Sequence, residues 1–149
     1  KYVRWIAARA IAKIDNPAAA VRALAKLLSD PDLSIRMQAA KTLKELGPVA
    51  QTAAPELARA ISSGDVEGRL AAMEVLQVVG PDMGKIAVPQ LIECLKYPEA
   101  RVRRHAAKTL GGFGRDAMTA IPALRERLGD DDQDVRVQAS DAMLQILQR

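Results

Sequence analysis

Residues 102–114 read VRRHAAKTLGGFG, and the features of this stretch return along the chain at a nearly fixed interval. Its first arginine has counterparts spaced 32, 33, 34 and 33 residues apart: Arg4, Arg36, Arg69, Arg103 and Arg136. An acid precedes each of the last four by four residues: Asp32, Asp65, Glu99 and Asp132. This interval is typical of a solenoid, in which each unit buries its apolar face against its neighbours.

The composition favours an all-α fold with an aliphatic core. Hydrophobic residues make up 49% of the chain but aromatic residues only 3%, so Ala, Leu, Val and Ile must fill the core. The net charge of +4 comes from 22 basic and 18 acidic residues that are interleaved, which argues against a basic tail for nucleic acid. The sequence shows no membrane-spanning run and no signal peptide, so we expect no membrane contact and favour a cytoplasmic location.

Each repeat carries the 3.6-residue apolar pattern twice, with turn residues between, and this predicts a pair of antiparallel helices. The first helices have apolar residues at i and i+4: Leu24 and Leu28, Leu57 and Ile61, Leu91 and Leu95, and Leu124 and Leu128. Prolines lie near the start of three of them, at Pro55, Pro89 and Pro122, where a missing N–H costs little. The second helices are predicted to end at glycines suited to the left-handed conformation: Gly47, Gly80 and Gly114.

These boundaries predict a leading helix over residues 1–14 and four helix pairs at about 17–47, 50–80, 84–114 and 117–149, nine helices in all. We expect residues 1–149 to form one domain, because no linker or low-complexity segment divides them. Neither end has the polar outer face of a solenoid cap. Two interpretations follow: the chain is part of a longer array, or its exposed end associates end to end with another copy.

The stretch 102–114, continued to Leu124, resembles the HEAT repeat in its short, phycobilisome-lyase-like form. Earlier copies share its arginine, small residues, leucine and glycine, and one departure is Gly68, which stands where Ile35 and Val102 occur. The resemblance implies a right-handed α-solenoid of antiparallel helix pairs, with the second helices lining a concave face. It implies a fold and not an activity, because function is carried by sites.

Two interpretations of the repeated arginines remain open. An arginine is a helix neighbour of the acid four residues before it and can also reach an acid one repeat away. We favour a structural ladder that binds turn backbones and sets the repeat spacing, because each full repeat supplies its own acid. The other interpretation is an anion-binding stripe of guanidinium groups.

The sequence predicts no catalytic residue, no cofactor and no metal site. With one histidine, His105, and one cysteine, Cys94, it has neither a multi-histidine nor a thiolate site. The spacing of Asp130, Asp132 and Asp134 is that of a calcium loop, but the glycine such a loop requires is missing. We expect these acids to act as helix caps and ladder partners, Cys94 to be a semi-buried hydrophobic residue, and the protein not to be an enzyme.

The exposed face of the second helices is the predicted binding surface. One residue after each ladder arginine is a stripe that is apolar at four of five positions: Trp5, Met37, Leu70, Arg104 and Val137. The stripe either packs between neighbouring second helices or forms an apolar groove for an amphipathic or acidic peptide. We place the protein-binding residues in the N-terminal half, where apolar and basic residues coincide: Trp5, Arg9, Met37, Lys41, Lys44 and Leu70.

These observations predict a non-catalytic scaffold or adaptor that binds a protein or peptide on the concave face of the solenoid. Nucleic-acid binding is an alternative based on the net charge of +4, although acids interrupt the basic positions and aromatic residues for base stacking are scarce. The family resemblance implies a further alternative, a phycobilisome-lyase-like accessory protein.

Overall fold

The helices follow the repeat boundaries that the glycines and prolines predict. A computed structural model describes residues 17–148 together with Val3, Ile6 and Ala10. The predicted leading helix, 1–14, lies outside the described residues except for these three, which are helical. Residues 17–148 form eight α-helices and five 3-10 segments, which confirms the predicted all-α class.

Each predicted pair is present, with a first helix followed by a second. The α-helices are α1 (Pro17–Lys26), α2 (Leu33–Leu46), α3 (Ala54–Ser63), α4 (Val66–Val79), α5 (Gly84–Cys94), α6 (Ala100–Gly112), α7 (Ile121–Glu126) and α8 (Gln133–Gln148). The 3-10 segments are Leu27–Ser29, Gly47–Ala53, Pro81–Met83, Gly114–Ala120 and Arg127–Gly129. Throughout 17–148, each helix is too short or too polar to span a bilayer.

The glycines predicted to end the second helices adopt positive φ angles, which confirms their role. The φ angles are 58° at Gly47, 109° at Gly80 and 55° at Gly114, a region that residues with a Cβ atom rarely adopt. The prediction for Pro89 was wrong, because this proline lies inside α5 rather than at its start. The residues before it are already α-helical, whereas the equivalent residues of the second and fourth pairs are 3-10 segments.

The chain divides into two compact units, Lys1–Val79 and Gly80–Arg149. In the N-terminal unit α2 packs against α4, and in the C-terminal unit α6 packs against α8. The predicted core residues of the first helices are completely buried except Leu128, which is 42% exposed. A single domain over residues 1–149 stays a prediction.

Gly111 allows α6 and α8 to approach closely. A Cβ atom at this position would lie 3.0 Å from Cα of Ala142 and would also collide with the side chain of Gln145. The absence of a side chain at Gly111 therefore fixes the separation of the two helices that line the site described below.

Candidate functional site

Arg36 connects two successive turns of the N-terminal unit. Its Nη1 donates hydrogen bonds to the carbonyl oxygens of Asp30 at 2.7 Å and Pro31 at 3.2 Å, in the turn before its own helix. Its Nη2 donates to Oδ2 of Asp65, one repeat later, at 3.0 Å. The Arg36 side chain is 10% exposed, so these bonds hold the guanidinium group within the protein.

Arg103 makes the corresponding connection in the C-terminal unit. Its Nε and Nη2 donate to the two carboxylate oxygens of Asp130 at 2.9 and 2.6 Å, a bidentate pair. Its Nη1 donates to the carbonyl oxygens of Tyr97 at 3.0 Å and Pro98 at 2.7 Å. The side chains of Arg103 and Asp130 are 8% and 1% exposed, so the pair is nearly dry and strongly coupled.

The pairing shifts the pKa of both groups. Burial of the Asp130 carboxyl group would raise its pKa, but the hydrogen bonds from Arg103 and from the N–H of Asp132 outweigh burial and lower this pKa from 3.8 to about 2. The hydrogen bond to Asp130 in turn raises the pKa of Arg103. Asp130 is therefore a carboxylate at neutral pH and already has cationic and amide partners.

The remaining ladder arginines within the described residues also bind turn carbonyl groups. Arg69 donates from Nε to the carbonyl of Gly64 at 2.7 Å and from its Nη atoms to the carbonyls of Ile61 and Ser62. Arg136 donates from Nη1 to the carbonyl of Asp130 at 2.8 Å. Asp130 thus contacts Arg103 through its side chain and Arg136 through its backbone.

The acids four residues before the arginines are mainly helix caps. Their Oδ1 atoms accept hydrogen bonds of 2.8–3.0 Å from backbone N–H groups: Asp32 from Ser34, Asp65 from Gly68 and Asp132 from Val135. Arg103 binds Asp130 and the exposed Asp131, and neither of these acids lies four residues before a ladder arginine. The structural interpretation of the ladder is confirmed for the described arginines, because their donors bind turns and carboxylates.

The structure does not bring all the predicted protein-binding residues to one exposed surface. Met37 is 62% exposed and Lys41 is also exposed. Lys44 is half-buried and forms an ion pair with Glu74 at 2.9 Å. Leu70 is only 8% exposed, so its side chain belongs to the packed interior. Trp5 and Arg9 lie outside the described residues.

A concave site lies instead in the C-terminal unit, on the face shared by α6 and α8. Its volume is about 380 Å³ and its lining residues are Arg104, His105, Lys108, Asp134, Val137 and Gln138. We refer to these six residues as the α6/α8 pocket. Arg104 and Val137 belong to the stripe that follows the ladder arginines, so the pocket lies on the predicted type of surface but in the other half of the chain.

The pocket contains both charged and apolar groups. Arg104 Nη1 donates to Oδ2 of Asp134 at 3.0 Å, and these side chains are 42% and 69% exposed. Val137 is 54% exposed. His105 Nδ1 lies 3.0 Å from the carbonyl oxygen of Arg101. Because a carbonyl oxygen only accepts, Nδ1 donates this bond and Nε2 of the neutral ring is an acceptor.

The sequence contained a signal for this pocket that the prediction did not use. Arg104 is the one polar member of the stripe, and Lys108 follows it by four residues on the same helix face. For His105, the one histidine of the sequence, we predicted no catalytic or metal-binding role. The structure places it beside Arg101 and Lys108 as a pocket residue.

The described residues hold no group of three or more His, Cys, Asp or Glu side chains that could bind a metal ion. Cys94 is buried at 1% exposure. Among the acids of the calcium-loop pattern, Asp130 binds Arg103, Asp132 caps α8 and Asp134 binds Arg104. The three carboxylates therefore have separate partners.

Comparison with solved structures identifies helical-repeat proteins. A chain of the complex of CpcE and CpcF of phycocyanin lyase from Nostoc sp. PCC7120 is 28% identical, with 98% of this chain and 60% of that chain covered and a TM-score of 0.72. A designed armadillo repeat protein in complex with the peptide (KR)4 is 16% identical, with coverage of 87% and 65% and a TM-score of 0.69. An engineered protein is 23% identical, with coverage of 94% and 71% and a TM-score of 0.67.

The chain spans 60% to 71% of the length of these similar chains. No curated protein matches it significantly. A sequence model of HEAT repeats matches residues 1–77 and 54–145, which together include nearly the whole chain. With the helix pairs and the repeated arginines described above, this match shows that the chain belongs to the HEAT-repeat family.

Proposed function

We propose that this protein is a non-catalytic protein-binding module whose partner contacts the exposed face of the second helices. One observation carries the proposal. Met37 and Val137 occupy the same position of their repeats, one residue after the ladder arginine, and are 62% and 54% exposed. The leucines of the second helices at Leu43, Leu76 and Leu110 are fully buried. Exposed apolar side chains at a repeated position of a packed helix are suited to contact with another protein.

Charged residues accompany these apolar residues in both units. Lys41 lies one helical turn after Met37, and Arg104 and Lys108 line the pocket that contains Val137. Apolar side chains supply most of the binding free energy of an interface, and surrounding charges set the encounter rate and specificity. Of the N-terminal residues predicted from the sequence, we retain Trp5, Arg9, Met37, Lys41 and Lys44, while burial removes Leu70.

The similar lyase chain occurs in a complex of two proteins, CpcE and CpcF. The occurrence of that chain in a complex supports a protein partner for this chain. The ladder and cap contacts of Asp65, Asp130 and Asp132 show that these carboxylates serve the fold.

A quantitative pull-down with surface variants tests the proposal. The wild-type chain, Met37→Asp, Val137→Asp and the control Ile86→Asp are used as bait, since Ile86 is 46% exposed on the first helix α5. We expect proteins that the wild type and the control retain equally and that at least one second-helix variant loses. Equal retention by all four baits, or enrichment of nucleic acid alone, would contradict the proposal.

A second candidate function is that of a phycocyanin-lyase-like accessory subunit. It is favoured by the 28% identity over 98% of this chain to the CpcE and CpcF complex. Purified phycocyanin provides the direct test, by size-exclusion chromatography of its mixture with the wild-type chain. Co-elution that Val137→Asp abolishes would identify phycocyanin as the partner, and separate elution would remove this candidate while leaving the general proposal in place.

A further inference from the structure

The α6/α8 pocket combines three kinds of group that one ligand must satisfy. Arg104 and Lys108 are cations one helical turn apart on α6. Val137 offers an exposed apolar surface on α8. His105 and Gln138 also line the pocket, and both side chains carry hydrogen-bonding groups. A ligand that uses all three contains an anion, an apolar group and hydrogen-bond donors.

The cations of the pocket are available to a ligand at low cost. The ion pair of Arg104 with Asp134 is exposed, and exposed ion pairs contribute at most about 1 kcal/mol, so another carboxylate can replace Asp134. Lys108 lines the pocket and is exposed, and within the described residues it forms no ion pair. By contrast, the residue before Arg104, the buried ladder arginine Arg103, is already bound to Asp130.

The chemistry of the pocket distinguishes a peptide from a phosphate backbone. A phosphodiester backbone presents charged oxygens and has no apolar side chain to cover the exposed Val137. A peptide segment has backbone N–H groups that can donate to Nε2 of His105 and to the side-chain oxygen of Gln138. It also has apolar side chains for Val137 and, where acidic, carboxylates for the two cations.

We propose that the α6/α8 pocket receives an acidic residue of a partner peptide, with its carboxylate on Arg104 and Lys108 and an adjacent apolar side chain on Val137. This proposal rests on the proposed function, because it names the chemistry that the second-helix face recognises in the C-terminal unit. Asp134 acts as an internal competitor for Arg104, so its removal strengthens binding.

Fluorescence anisotropy with labelled peptides tests this pocket in the intact chain. The probe is a capped peptide of alternating Glu and Leu, and the comparison probes carry Gln or Lys in place of Glu. We expect Lys108→Glu to weaken binding of the Glu/Leu probe about tenfold, because attraction is lost and repulsion is added. We expect Asp134→Asn to strengthen it about threefold, since the competing carboxylate is gone. Lys85→Glu, on the exposed surface of α5, is the matched charge control and leaves the affinity unchanged.

The opposite signs of the two pocket variants separate binding from a change in stability. Equal binding of the Glu/Leu and Gln/Leu probes, tighter binding of the Lys/Leu probe, or a loss of affinity in Asp134→Asn would overturn the proposal. Single-stranded DNA that binds through Lys108 more tightly than the Glu/Leu probe would overturn it too. If the pull-down finds a partner that Lys108→Glu still retains fully, the pocket assignment fails while the protein-binding function stands.

Discussion

Replacement of Arg103 by methionine tests the structural role of the ladder most directly. Methionine keeps the unbranched aliphatic part of the side chain but removes every donor that binds Asp130, Tyr97 and Pro98. The carboxylate of Asp130, at 1% exposure, then keeps only Arg127, 3.2 Å from its Oδ2, and the N–H of Asp132 as partners. Removing one member of a buried ion pair costs about 3–5 kcal/mol when the remaining charge has no other partner, so with Arg127 retained we expect a smaller loss of about 2–3 kcal/mol at pH 7.

The dependence of this loss on pH follows from the pKa of Asp130. In the wild type this pKa falls from 3.8 to about 2 on folding, which corresponds to about 2 kcal/mol of stability above pH 4 that is lost as the pH falls toward 2. In Arg103→Met the bidentate attraction is gone while Arg127 and the N–H of Asp132 stay, so burial raises the pKa of Asp130 above its wild-type value. Protonation of Asp130 in the folded state then relieves part of the destabilisation. The difference between the two proteins should therefore shrink as the pH falls from 7 to 3.5.

Urea denaturation followed by far-ultraviolet circular dichroism at pH 7, 5 and 3.5 measures this difference. Arg104→Met is the matched control, because it makes the same change at the next residue, where the ion pair with Asp134 is exposed. We expect the control to lose less than about 1 kcal/mol at each pH. A loss below 1 kcal/mol in Arg103→Met, or an equal loss at pH 7 and 3.5, would refute this account of the ladder.

Three further changes should affect stability by different amounts. Arg69→Ala removes donors to the carbonyl groups of Gly64, Ile61 and Ser62 and should cost about 1–3 kcal/mol in urea denaturation; an unchanged midpoint would contradict its role. Gly111→Ala forces α6 and α8 apart and should lower the melting temperature. In Gly112→Ala the new Cβ meets no atom within 4 Å, so the melting temperature should rise slightly. A shift of the melting temperature in the same direction for both variants would argue against the close approach. Lys44→Met breaks an exposed pair with Glu74 and should change stability by less than about 1 kcal/mol, with the difference vanishing at high salt; a larger, salt-independent loss would refute this.

The helix pairs could be predicted from the sequence because local patterns specify them. Apolar residues at i and i+4 define the buried side of each first helix, and Gly47, Gly80 and Gly114 have the positive φ angles that end the second helices. Pro89 was misplaced because the residues before it are α-helical where the second and fourth pairs have 3-10 segments. The two helical forms satisfy the same local sequence, so the pattern does not distinguish them.

The binding residues were harder to predict because a repeated position need not have a repeated environment. Met37 and Leu70 occupy the same position of successive repeats, yet Met37 is 62% exposed and Leu70 only 8%. Sequence spacing specifies the direction in which a side chain leaves its helix but not what packs over it. Asp130 was expected to be a cap or ladder partner, and the turn before α8 brings it to Arg103 together with Asp131, to which no role was assigned.

Arg103 and Arg104 show how one helix separates stability from recognition. Successive residues on an α-helix leave it about 100° apart, so Arg103 faces the turns and is buried while Arg104 faces the pocket and is 42% exposed. In the repeats that the structure describes, the arginine at the position of Arg103 binds turn carbonyls. The next position holds Met37, Leu70, Arg104 or Val137 without loss of the repeat. Where this side chain is exposed, as at Met37, Arg104 and Val137, we propose that it contributes to what the repeat binds, while the ladder keeps the helices in place.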